Sequence, residues 1–506
     1  MRFYKQLVSL CVVAFLVSCN NKNDEMLKVI PADAVGVVSV DVPNILEKSG
    51  MLNESGDFSM PESLQTIVDE NDESTFSKLL IDLPEMGVDY DCKIFSFYTL
   101  KTFGSVVLMG IDDEDAARKV IERRAGKDFA DVDGLNCISV GDDFYALHDG
   151  IFFHATVNKP QEVSKLSAAA RNMLARTSKS ILDNSEVMEC LNAENDVNAY
   201  MLLDGVKFLS KRSKTYKEMS EKFPLVDIFV ESDIKAYVAS ANLNEDAAEL
   251  EVKILADDNS EYVQLLSGTL GNPSADFLKS VPESMENIVS MSVKGEKFVE
   301  LPQIAEMIET FKNTPFIGRL DIESILKTID GPVAMGMAKD PNLDDWNAVV
   351  TACSTTPDEV LNQLKTFAAS LGQQPEIYDN EYIYEYDNKM VKLGNSNGSL
   401  YMKMLNYEQT EGYAYDNVDA REFFSKTPMG IYVRAKDNKG GSIKFGLVDI
   451  RNIKGSFIPA QKGTNAIVAL LQVLCGIEPV REYEDRGTDE LEDVLPVAID
   501  ELKPVN

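Results

Sequence analysis

The chain has 506 residues, with 49 Lys and Arg against 83 Asp and Glu and a formal charge of −34 at pH 7. Such an excess of negative charge repels a phosphate backbone and excludes nucleic acid as a chain-wide partner. At 44% hydrophobic and 26% charged the composition is that of a globular protein, and 2 His leave little material for a multi-histidine metal centre.

The N-terminus carries the first strong signal. Arg2 and Lys5 precede an apolar stretch, Leu7 to Val17. A bilayer span needs about 20 apolar residues, so this stretch is too short to cross and suits an export signal over residues 1–18. It ends in Leu16-Val17-Ser18-Cys19, which resembles the lipobox of bacterial lipoproteins. Ser18 is small enough for a signal peptidase pocket, and the Cys19 thiol is the atom that accepts a diacylglycerol. Residues 19–27, with Asn20-Asn21-Lys22-Asn23-Asp24-Glu25, read as a polar tether, and Asn20 is similar to the outer-membrane sorting residue of such proteins. Periplasmic-facing and surface-exposed orientations both stay open. Beyond Cys19 the cysteines are 92, 137, 190, 353 and 475, an odd number at wide spacing without a CxxC. That pattern argues against a disulfide framework or a zinc site, and leaves one bridge, Cys92 to Cys137, open.

From there the elements run in two similar series. Val29-Ile30-Pro31-Ala32-Asp33 is a turn that feeds a β-branched strand, Val35 to Val40. Strands Lys93–Leu100 and Ser105–Ile111 lead into a helix from Asp112 to Ala125. Its acids crowd the first turn, Arg123 and Arg124 sit in the last, and Gly126 stops it. Phe144 to Phe153 is a hairpin turning at Asp149-Gly150, with His148 and His154 on opposite faces. A helix over Gly205–Lys222, a strand at Ile234–Val238 and the Tyr262–Gly268 segment complete the first series. The second opens at Ser280-Val281-Pro282-Glu283-Ser284 and the strand Asn287–Val293. It continues with strands Val333–Ala338 and Ala348–Cys353, then a helix from Thr356-Pro357 to Gly372. A hairpin, Met390–Leu393 to Ser399–Met402, is followed by Ile443–Leu447 and Ile467–Val473. The repetition predicts an α+β fold of two homologous tandem domains, 28–272 and 276–476, each with a mainly antiparallel sheet and flanking helices. Gly271-Asn272-Pro273 is the boundary, and residues 477–506 form an acidic tail.

The lipobox, the Ile30-Pro31-Ala32-Asp33-Ala34 turn, a length near 500 and the two repeats together resemble domain of unknown function 4836. That family consists of lipoproteins of Bacteroidetes, and the resemblance supplies no reaction, substrate or catalytic residue.

Motifs that carry chemistry are few. Gly394-Asn395-Ser396-Asn397-Gly398 fits the GxSxG of serine hydrolases, but it falls between two strands and no histidine follows it. Ser324-Ile325-Leu326-Lys327 is an SxxK without the companion elements of penicillin-binding enzymes. The run Asp112 to Asp115 lacks the alternation of a calcium loop and reads as helix capping. One segment departs from the acidic background: Lys207, Lys211, Arg212, Lys214 and Lys217 lie within Gly205–Lys222. They point to contact with an anionic surface, either lipid headgroups or an acidic partner. The sequence therefore predicts a membrane-anchored envelope lipoprotein, a non-enzymatic binding or accessory protein without cofactor or metal. The alternative is an extracytoplasmic hydrolase with carboxylates in an interdomain cleft near residue 275.

Overall fold

A computed structural model describes residues 22–51, 58–60, 65, 82–159, 161–176, 179–211, 213, 216–217, 220, 227–315, 317–339, 346–378, 381–386, 389–396, 398–406, 414–434, 441–459 and 465–469. The signal segment, Cys19, Arg212, Lys214, Cys475 and the 477–506 tail lie outside the described residues.

The fold is α+β, built on one antiparallel sheet. The first half supplies β1 (Gly36–Val40), β2 (Ile94–Tyr98), β3 (Phe103–Gly110), β4 (Ala130–Val132), β5 (Leu135–Val140), β6 (Asp143–His148), β7 (Ile151–Val157), β8 (Val197–Leu202), β9 (Ala236–Leu243) and β10 (Ala248–Leu255). The second supplies β11 (Asn287–Lys294), β12 (Ile329–Lys339), β13 (Trp346–Ser354), β14 (Glu376–Tyr378), β15 (Glu381–Tyr386), β16 (Lys389–Ser396), β17 (Ser399–Asn406), β18 (Met429–Arg434), β19 (Ser442–Asp449) and β20 (Asn452–Ile458). In space the first ten run β4-β5-β6-β7-β3-β2-β1-β8-β9-β10. The second ten run β14-β15-β16-β17-β13-β12-β11-β18-β19-β20, the same order shifted by ten. The turns match as well. Ile181 N donates to Ile30 O at 2.9 Å, and Tyr415 N to Val281 O at 2.8 Å. The halves meet where β10 pairs with β20, from Ala248↔Phe457 to Lys253↔Asn452. This joint satisfies the edge strand of each half with the other, so neither presents unpaired backbone there.

Local chemistry explains the elements. The 114–125 helix starts at Glu114, two residues later than its acidic run suggests. Asp113 is the cap, accepting from the amides of Asp115 and Ala116, and Gly126 closes the helix at φ 60°. At the β6–β7 turn Asp149 and Gly150 both take positive φ, 49° and 70°, the geometry a two-residue hairpin needs. His148 pairs with Ile151 and Tyr145 with His154, which puts the two imidazoles on opposite faces.

Each half has its own apolar core. Phe103, Phe144 and Phe153 anchor the first, and Phe277, Phe424 and Tyr432 the second. The terminal helices cross between them. Tyr262, in the Glu261–Thr269 helix, donates to Ile450 O of the second half at 2.8 Å. The 466–469 helix returns to the first half, where Val468 packs on Leu46 and Met51.

Two expectations change. The polar tether at 19–27 is, from residue 22, the start of a helix over 22–29 with Met26 fully buried. Met26, Leu27, Val29 and Ile30 bury together in the first core, and Lys22 and Glu25 find ionic partners in Asp89, Asp112 and Arg176. Cys92 and Cys137 are both buried as free thiols, not bridged. The Cys92 thiol donates to the Asp89 carboxylate at 3.2 Å, and burial followed by that contact pushes it up to about 12.

Candidate functional site

At the β10–β20 joint the sheet forms the floor of a trough. The floor bears Ser240 and Asn242 from β9, Glu249 and Glu251 from β10, Lys454 and Ser456 from β20, and Lys444 from β19. Phe423, in the Val418–Lys426 helix, closes one side, and Asn195 the other. The cavity there measures about 320 Å³, and a second of about 410 Å³ continues it along the Ser185–Leu191 helix. Strand alternation puts these polar side chains on one face, while Leu250 and Val252 face away. Glu251 stands directly opposite Lys454 across the joint, an opposite-charge pair contributed by both halves.

The walls are fixed by matched contacts. Tyr200 on β8 donates to Glu186 of one helix at 3.2 Å, and Tyr432 on β18 donates to Asp419 of the other at 3.4 Å. Burial pushes both phenols up, Tyr432 to about 12, so they remain donors at neutral pH. Lys444 also binds Asp419, and Asn242 Nδ2 donates to Asn195 at 3.1 Å. The trough therefore offers fixed donors, acceptors and both charges to a polar ligand or an extended segment.

The sequence-predicted sites fall elsewhere. The single helix expected over Gly205–Lys222 ends at Ser210, with Lys211 as its cap residue. Ser213 is the reason: its hydroxyl accepts from the Tyr216 amide at 3.1 Å and starts a new helical turn. Lys207 lies part-buried in the first piece, while Lys211 and Lys217 are exposed. The halves meet at the β10–β20 joint rather than at the interdomain cleft expected near residue 275. The cavity by residue 275, about 1150 Å³, is lined by Pro273 of the connecting segment and by Asp276, Lys279, Glu283, Asp416 and Arg421 of the second half, among others. Lys279 bonds Asp276 at 2.7 Å and holds its carboxyl below the usual range, the reverse of what a general acid needs. Ser396 sits in β16 opposite Ser399, and Ser324 gives its amide to Asp321 at 3.1 Å while Lys327 pairs with Glu323 at 2.7 Å. Among the described residues no three His, Cys, Asp or Glu converge as a metal site, and no helix is long and apolar enough to cross a membrane.

The N-terminal helix is docked by charge. Lys22 Nζ reaches Asp89 at 2.7 Å, Ile111 O at 3.0 Å and Asp112 at 3.1 Å, and Glu25 binds Arg176 and Lys28. Burial alone would raise Asp89 and lower Lys22, but their bond outweighs it, leaving Asp89 below and Lys22 above their ordinary values. The Lys28 bond, with Arg176, holds Glu25 low. Depressed carboxylates stabilise the docked state above their unfolded pKa of about 4, and that stabilisation disappears as pH falls through the folded values. The raised Lys22 contributes until pH climbs past its folded value, above 10.5. Protection of the Met26 and Leu27 amides, measured against their intrinsic exchange rates, should thus hold from about pH 5 to 10 and fall below about pH 4. Equal protection at pH 3 and pH 7 would contradict this docking.

No curated protein matches the chain. Among solved structures, crystal form III of TP0453 aligns at 12% identity and TM-score 0.30, covering 48% of this chain and 84% of that one. Form I of TP0453 gives 12% and 0.29, covering 48% and 83%. The DNA polymerase III subunit beta from Pseudomonas aeruginosa gives 10% and 0.11, covering 72% and 89%. TM-scores this low carry no assignment of fold or function. The match to a family is of a different order: the model of domain of unknown function 4836 (DUF4836) spans residues 26–419, and the chain belongs to that family.

Proposed function

We propose that this protein is a lipid-anchored envelope protein that binds a partner in the trough over the β10–β20 joint. The observation that carries the reading is that joint, where Glu249 and Glu251 of one half and Lys444 and Lys454 of the other share one helix-walled floor. The equal strand order of the halves supports reading them as homologous repeats, which a duplication places about a pseudo-two-fold axis. The lipobox ending at Cys19 supports an anchor on the outer membrane. Lys22 is docked, and three residues span at most about 11 Å, so an acylated Cys19 would hold the Asp89 end of the first half close to the bilayer.

Growth with an alkyne-bearing fatty acid tests the anchor. The wild-type protein should take the label and sediment with membranes, and Cys19→Ser should lose both properties. Label retained on Cys19→Ser would refute the anchor. Affinity purification from native membranes tests the trough. Glu251→Lys should deplete a stoichiometric partner, and the compensating Lys454→Glu should partly restore it. Reversal of Lys207, Lys211 and Lys217 to Glu should weaken membrane or partner contact in a salt-dependent way if the basic segment takes part. A chain recovered alone under all conditions would remove the partner reading.

A further inference from the structure

The second half holds a groove where, among the described residues, the first half is filled. It lies between the Pro357–Ser370 helix and the face of β13, β17, β16 and β15, with a volume of about 470 Å³. Its walls are almost wholly apolar, including Val350, Leu364, Phe367, Leu393 and Met402. The helix lines it at Val360, Leu361, Leu364, Phe367, Ala368 and Leu371, a stripe about 16 Å long at 1.5 Å per residue. That is the form of an extended alkyl chain rather than of a ring system.

In the first half the corresponding helix, Glu114–Ala125, closes on the sheet. Ala117, Val120 and Ile121 bury against Ile138, Leu147 and Phe152, and Met86 and Val88 fill the remaining space. In the second half Leu371 is 43% exposed and Met402 45%. The mouth continues along one row of paired residues, Met402, Val350, Met335, Val289, Ile431 and Phe445. Of these, Met335, Val289, Ile431 and Phe445 are 37–42% exposed, an apolar strip in water.

One polar atom points to the ligand's chemistry. Tyr384 lines the groove and is only 7% exposed, yet its hydroxyl has no hydrogen-bond partner. Followed through the ladders from the matching turn pairs His148↔Ile151 and Ser396↔Ser399, the residue in its place in the first half is Val140, opposite Asp143 as Tyr384 is opposite Val391. A buried hydroxyl without a partner costs stability, whereas a valine in that place carries no polar atom to satisfy. Burial also raises the Tyr384 phenol, so the hydroxyl keeps its proton and donates.

We propose that this groove binds an acyl chain, with the Tyr384 hydroxyl donating to its carbonyl or carboxyl oxygen. The chain can come from a free fatty acid or from a phospholipid, and two photoactivatable probes separate these sources. Full-length protein in its own membranes is illuminated with a diazirine-bearing palmitate, or with a phosphatidylethanolamine carrying the same group on one chain. Crosslinks should map to residues 357–373 or 389–402, and excess unlabelled palmitate should compete with the fatty-acid probe. Leu364→Trp, which fills the groove, should lower this labelling at least tenfold. Tyr384→Phe should lower it several-fold while raising Tm, since it deletes an unpaired buried hydroxyl. Labelling by the palmitate probe alone identifies a fatty-acid site, and labelling by the phospholipid probe identifies a lipid-acyl site. Either supports the proposal. Crosslinks confined to other surfaces, or labelling unchanged in both variants, would overturn it. The outcome is independent of Cys19 and of the trough, so it stands or falls separately from the partner reading.

Discussion

Lys48→Met lowers the unfolding free energy by about 3–5 kcal/mol, because it leaves the carboxylate of Asp196 buried without its cation. Asp196 is fully buried and accepts from Lys48 Nζ at 2.7 and 2.8 Å, from Asn44 Nδ2 at 2.5 Å and from the Leu243 amide at 2.6 Å. The methionine keeps the apolar stem of the lysine, so the loss reports the charge and not the packing. The site also ties distant parts together. The Val42–Lys48 helix, the start of β8 and the end of β9 meet at Asp196, and Lys48 O accepts from Asn465 Nδ2 at 2.8 Å. Urea titration of the wild type, Lys48→Met, Asp196→Asn and the double variant measures the coupling. The double variant should be less destabilised than the sum of the singles. A loss under about 1 kcal/mol in Lys48→Met would show that the pair behaves as an exposed one.

Phe153→Ala, in the first half, and Phe424→Ala, in the second, each destabilise by about 3–5 kcal/mol. Phe153 is wholly buried and meets Phe103 and Phe144 edge-on at 5.5 and 6.3 Å, while Phe424 meets Phe277 edge-on at 5.2 Å. Both cavities should shift one common melting transition. The joint makes this so: six residue pairs of β10–β20, the Tyr262–Ile450 bond and the returning 466–469 helix would all have to break for one half to melt alone. Scanning calorimetry with a tryptophan probe checks it, since Trp346 reports the second half. If Phe153→Ala split the endotherm into two, with the Trp346 signal staying at the wild-type temperature, the halves would be independent folding units.

Much of the scaffold is legible in local chemistry. Asp113 and Gly126 bound a helix whose charges oppose its dipole, and Asp149-Gly150 dictates a tight hairpin, so both are readable without knowing any distant contact. The order of β-branched runs and turns foretells two similar series, because period-2 alternation is a property of neighbours in the chain. The helix expected over Gly205–Lys222 ends at Ser210 for a definite reason. Its apolar spacing suits one long helix, but Ser213 can accept a backbone hydrogen bond and does so from Tyr216. Hydroxyl capping competes with helix continuation wherever serine appears, and spacing does not register that competition.

The trough was not legible in the same way. Asn195, Glu249, Glu251, Phe423, Lys444 and Lys454 come from segments far apart in sequence, and only the β10–β20 pairing brings them together. Glu249 and Glu251 alternate on β10, as Lys454 and Ser456 do on β20, but such alternation does not state which strand lies beside it. The groove under the Pro357–Ser370 helix has a similar history, since Tyr384 reads as one more strand aromatic until its hydroxyl is seen without a partner.

The sequence by itself determined the acidic charge, the α+β class, the turns and caps, and the family resemblance, all of which depend on short-range order or on composition. The tertiary structure decided that Lys22 to Val29 docks as a helix, that Cys92 and Cys137 stay apart, and that the two halves join edge to edge with the trough over their joint. These outcomes depend on which distant groups become partners: a carboxylate for Lys22, an open strand edge for β10, and nothing at all for the hydroxyl of Tyr384.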